Sequence, residues 1–75
     1  MGAVLYRFVV EGELGPSYRS AFEGMTIEYA DGRTSIVGLV TDQSHLHGLL
    51  DRIARMGIQL VSVTPEPVVN GSLER

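Results

Sequence analysis

The chain has 75 residues, 44% of them apolar, with nine acids against six bases for a net charge of −3, and it has no cysteine. That is material for one small domain, too apolar to be disordered at this charge, and it excludes a disulfide framework, a thiolate metal site and a thiol nucleophile. The bases are all arginine and are scattered, so the clustered cations that grip nucleic-acid phosphates are missing, and no apolar run is long enough to span a bilayer.

Residues 3–11 (AVLYRFVVE) are rich in β-branched and aromatic side chains and predict a strand. Val4, Tyr6, Phe8 and Val10 point to one side; Leu5, Arg7, Val9 and Glu11 point to the other. Residues 12–24 form a connection with three glycines and one proline. Within it, Tyr18 and Phe22 lie four apart after Pro16-Ser17, which fits one or two helical turns packing two rings.

Residues 25–40 predict a hairpin. Asp31-Gly32, between two extended runs, suits a two-residue type I′ turn. That turn sets Ala30 against Arg33, Tyr29 against Thr34, Glu28 against Ser35 and Ile27 against Ile36. Met25, Ile27, Tyr29, Ile36 and Val40 then share one side. Thr26, Glu28, Arg33, Ser35, Val37 and Leu39 share the other.

Residues 41–57 predict a helix. Thr41 or Asp42 serves as N-cap, Leu46, Leu49, Leu50 and Ile53 form one buried stripe, and Asp51 and Arg55 pair at four-residue spacing beside Arg52 on the outer face. Gly57 suits the residue after the C-cap. Residues 58–64 (IQLVSVT) predict a last strand, stopped by Pro65-Glu66-Pro67. Residues 65–75 are expected to be a flexible tail, in which Asn70-Gly71-Ser72 is a chance match to a glycosylation acceptor.

The order strand, short connection, hairpin, helix, strand makes this an α+β chain with a single domain over residues 1–64. With right-handed crossovers it becomes a ferredoxin-like two-layer sandwich: a four-stranded antiparallel or mixed sheet, one full helix and a shortened first helix. A meander followed by a helix and an added strand is the alternative.

Candidate chemistry is sparse. His45 and His47 form an H-x-H pair, but two positions on a helix are separated by about 200°, so they are not expected to share a metal. His47 and Asp51 lie four apart, as a catalytic dyad or an ordinary surface pair would. Glu11 and Glu13 read as solvated acids. No nucleophile elbow, dinucleotide fingerprint or phosphate loop occurs. The expectation is therefore no catalytic, cofactor-binding or metal-ligating residue, with Tyr18 and His47 as candidates for a ligand pocket. Arg7, a charge in mid-strand between Leu5 and Val9, is either solvated or paired within an interface.

A core in a chain this short rarely supplies more than about 3–5 kcal/mol without a disulfide, a metal or a partner. One helix covers only one face of four strands. The other face leaves Leu5, Arg7, Val9, Val37 and Leu39 as a candidate interface, and a homodimer or higher homo-oligomer follows. The functional expectation is a non-catalytic homo-oligomeric module that binds a small ligand or a partner protein. A small cofactor-free enzyme using Tyr18, His47 and Arg7, in a pocket between sheet and helix, is the alternative; a subunit that adds a strand to another protein is a third reading.

The string DQSHLHGLLDRIARMGIQLVSV (residues 42–63), with YRFVV and AFEGM earlier in the chain, resembles a group of short uncharacterised bacterial proteins. The D-Q-x-x-L-H-G-L-L helix motif is its most specific part. The resemblance implies a bacterial, cytoplasmic protein without catalytic residues, in keeping with a start that lacks a basic and then apolar leader. An acidic residue opening a Leu-rich helix before a Val-rich strand is also similar in pattern to ACT-type regulatory domains, with Gln43-Ser44 where those often carry Pro-Gly.

Overall fold

The computed structural model describes residues 2–66. Most of the expected tail, with Asn70-Gly71-Ser72, lies outside the described residues. The first alternating run becomes β1, Val4–Glu11. Asp31 and Gly32 sit at φ +55° and +74°, the left-handed pair that a type I′ turn requires. They join β2 (Thr26–Ala30) to β3 (Arg33–Val40) in the expected register, from Ile27 against Ile36 to Ala30 against Arg33.

β3 pairs antiparallel with β1, Val4 facing Val40 and Glu11 facing Arg33. β4 (Leu60–Pro65) pairs antiparallel along the other side of β1. The sheet is open, four-stranded and antiparallel, in the order β2-β3-β1-β4. A meander would have placed β2 beside β1, so that alternative is excluded. β4 starts two residues later than the sequence pattern suggested. The register shifts between Val9, opposite Ser62, and Val10, opposite Leu60, so Val61 is an extra residue in the edge strand. At its far end, Pro65 still belongs to β4 and the Glu66 N–H donates to Leu5 O at 2.6 Å. An edge strand can end on proline because the missing donor faces outward.

The β1–β2 connection contains α1 (Pro16–Arg19), a single turn opened by proline, and then a 3-10 turn over Ser20–Phe22. Among the described residues the one full helix is α2, Gln43–Arg55. Asp42 is its N-cap: Oδ1 accepts the His45 N–H at 2.8 Å. At the other end Gly57 takes φ +72°, and the N–H groups of Gly57 and Ile58 donate to Ala54 O at 3.1 Å and Ile53 O at 3.3 Å. This paired closure is the Schellman motif.

The core lies between α2 and one sheet face. Phe8, Val10, Ile36 and Val40 come from the sheet, Leu14 and Phe22 from the connection, Leu49 and Ile53 from the helix. Thr34 is the buried polar residue among them. Its hydroxyl donates to Gly12 O at 2.7 Å and accepts the Leu14 N–H at 3.2 Å, which pins the connection to β3. Tyr18 and Phe22 both reach the core, but the ring contact among the described residues is Tyr6 with Phe8, centroids 6.2 Å apart. Tyr29 sits on edge strand β2 and stays partly in solvent; its hydroxyl donates to Leu14 O at 2.8 Å. No described helix is long and apolar enough to cross a membrane.

Candidate functional site

The face of the sheet turned away from α2 has no layer over it among the described residues. Pairing brings the five residues singled out from the sequence together on it: Leu5 lies opposite Leu39, Arg7 opposite Val37, and Val9 beside them opposite Ser35. The apolar side chains belong to the two central strands. The outer strands contribute Thr26 and Glu28 on one flank and Ser62 and Thr64 on the other. The face therefore has an apolar centre and a polar border. Leu39 is its most open member, 59% exposed, while Leu5, Val9 and Val37 are half-buried.

Arg7 lies at the middle of this face and is paired within its own chain. Its Nε and Nη2 donate to the two carboxylate oxygens of Glu66 at 2.9 and 3.4 Å, and its Nη1 reaches Glu28 Oε1 at 3.3 Å. Neither solvation alone nor a partner chain is needed to satisfy it. The guanidinium spans the sheet from the end of β4 to β2, across Val37 on β3. Hydrogen bonding to Arg7 holds the Glu66 carboxyl below its ordinary range, against an opposing effect of burial, and the same pairing raises Arg7 further above its own. A second pair, Arg33 Nε to Glu11 Oε2 at 3.1 Å, closes the end of the same face.

A groove of about 320 Å³ opens between α2 and the turn that leads into β2. Its apolar lining is Phe22, Met25, Leu39 and Leu49; its polar lining is Glu23, His45 and Arg52. His45, Gly48, Leu49 and Arg52 follow the i, i+3, i+4, i+7 spacing, so one stripe of α2 forms this wall. Glycine shapes both sides. A Cβ on Gly38 would lie 2.6 Å from Met25 Cγ, so the glycine admits Met25 against β3. Gly48 leaves the helix bare in mid-span.

Tyr18 and His47, the candidates for a ligand pocket, lie apart from this groove. Tyr18 is packed against the core from α1. His47 is exposed and lies about 200° around α2 from His45. Neither belongs to the groove's described lining. Asp51, which was weighed as a partner for His47, instead accepts from Arg55 Nε at 2.9 Å. Arg52, read as an outer-face residue, reaches across to donate to Ala21 O. The signal that could have located the groove was Gly48, a glycine in the middle of a strongly patterned helix.

The model of a domain of unknown function, DUF8691, matches residues 5–64. The chain belongs to this family. The DUF8691 span takes in the apolar centre of the open face, Arg7, the whole groove, Tyr18 and His47, and leaves out Glu66. No curated protein and no solved structure matches the chain.

Proposed function

We propose that this DUF8691 chain is a non-catalytic module that works as a homo-oligomer, associating through the open face of its sheet. The observation that carries the reading is the arrangement of that face: apolar side chains on β1 and β3, hydroxyl and carboxylate groups on β2 and β4, and no covering layer among the described residues. An apolar centre with a polar border is the anatomy of a protein–protein contact. The small core adds to it, since a domain of this size without disulfides gains much of its stability from a partner. Because Arg7 is already paired with Glu66, a second copy can cover the arginine without leaving it unpartnered, while the additional carboxylate of Glu28 lies on edge strand β2 at the border of the face. The strand order, with α1 in the first crossover and α2 in the second, also supports a ferredoxin-like sandwich whose first helix has shrunk to one turn.

Sedimentation equilibrium at micromolar concentration tests the proposal. The expected species is a dimer or larger multiple of the 8.2 kDa chain. Leu39→Asp, at an exposed position, should return it to a monomer that keeps its circular dichroism spectrum. A wild-type species of one chain's mass refutes the reading.

A further inference from the structure

We propose that the groove beside α2, which meets the open sheet face at Leu39, binds a small organic monocarboxylate with an apolar or aromatic body. Three observations converge there. The first is size: about 320 Å³ lies at the lower end of the range for small-molecule sites.

The second is Gly48. Glycine inside a helix is less stable than alanine, because it loses more backbone freedom on folding. Such a residue is normally explained by a close neighbour that leaves no room for a side chain. Here a Cβ would meet nothing within 4 Å. Packing within the chain does not require the glycine. Its effect is to keep the groove open between His45 and Arg52, where any longer side chain would fill it.

The third is the polarity of the wall. The Thr41 backbone N–H can only donate, so His45 Nδ1, 3.1 Å away, is the acceptor and the neutral ring carries its hydrogen on Nε2. Arg52 gives Nη1 to Ala21 O, which fixes the guanidinium beside the groove and leaves its other N–H groups. Two kinds of N–H donor, one on a permanent cation, therefore border an apolar lining of Phe22, Met25 and Leu49. A planar carboxylate matches a guanidinium in shape and charge. Glu23 on the same border opposes a second negative charge, which favours a monoanion over a phosphate.

Titration of the 15N-labelled full chain with phenylacetate, and with uncharged phenylacetamide, tests this. Saturable amide shifts should appear at Gly24, Leu39, Gly48 and Arg52 with the acid, and binding of the amide should be roughly tenfold weaker. Gly48→Leu fills the groove with a better helix former, so it should raise the melting temperature and abolish the shifts. Gly48→Ala should weaken them part-way, and Arg52→Gln should remove the preference for the acid. The proposal is overturned by an acid that gives no saturable shift up to tens of millimolar, by equal binding of acid and amide, or by unaltered binding in a stable Gly48→Leu protein. If Gly48→Leu instead dissociates the oligomer, the groove is a contact between copies and the proposal also fails.

Discussion

The two faces of the sheet are built from similar side chains and meet different fates. Phe8, Val10, Ile36 and Val40 point toward α2 and are buried. Leu5, Val9, Val37 and Leu39 alternate with them on the same two strands and remain half-buried or exposed. Strand alternation assigns residues to faces, but only a second layer removes a face from water. The uncovered face is held by other means. An arginine laid across it ties β2 to the end of β4, and hydroxyl groups border it. One face is specified by packing, the other by charge and hydrogen bonding.

The largest expected effect comes from breaking the packed face. Phe8→Ala removes a fully buried ring at the centre of the core, a change that costs about 3–5 kcal/mol. In a domain of this size that is comparable to the whole stability. The variant should be largely unfolded by circular dichroism at 25 °C. Val9→Ala, one residue away on the open face, should cost much less in dilute protein, about 1 kcal/mol or below. Equal losses from the two would mean that the faces are energetically alike and that a layer already covers the open one.

Next in size is the link between the packed face and the connection. Thr34 is fully buried and its hydroxyl satisfies both Gly12 O and the Leu14 N–H. Thr34→Val keeps the shape and strands both partners. The expected cost is roughly 1–3 kcal/mol, read from urea denaturation midpoints. Accelerated hydrogen exchange at the Leu14 amide should accompany it, and an unchanged amide would show that Thr34 does not hold the connection.

Much of this was legible from the residues. Asp31-Gly32 fixed the hairpin register because a type I′ turn leaves no freedom in it. Leu46, Leu49, Leu50 and Ile53 marked the helix, and Asp42 and Gly57 marked its ends. The five open-face residues did come together, since β1 and β3 are neighbours. Two things were not readable, and a third left only a single glycine as its mark. The bulge at Val61 arises where β4 must leave α2 and meet β1, which no local pattern encodes. Arg7 finds partners 21 and 59 residues away, distances over which sequence spacing carries no information. The groove depends on what Gly38 admits and Gly48 omits, and an omission gives no hydrophobic period to detect.

A smaller effect, of opposite sign, should follow from Gly48→Ala. The position is mid-helix and open, so the methyl group adds helix propensity without a clash. A gain of about 0.5–1 kcal/mol is expected. At Gly38, by contrast, a Cβ would lie 2.6 Å from Met25 Cγ and that side chain would have to move. A loss of stability here would show that the groove is closed in solution and that Gly48 is needed for packing.

The smallest effect belongs to the open face and depends on pH. Glu66 ionises more readily in the folded chain than its ordinary value of 4.5, chiefly because Arg7 donates hydrogen bonds to its carboxylate, with the charge of Arg7 adding to this. A depressed folded pKa means that the unfolded chain binds the proton more tightly. The stabilisation is therefore complete above 4.5 and is lost as pH falls through the lower folded value. Glu66→Gln removes this contribution and leaves the other carboxylates in place. The difference in denaturation midpoint between wild type and Glu66→Gln should be constant at neutral and weakly acidic pH, narrow below 4.5, and shrink in high salt at any pH. Phe8→Ala and Thr34→Val act on groups that do not titrate, so their differences from wild type should carry no such inflection. A Glu66→Gln difference that persists unchanged in strong acid would mean that the contribution of Glu66 does not come from its ionised carboxylate.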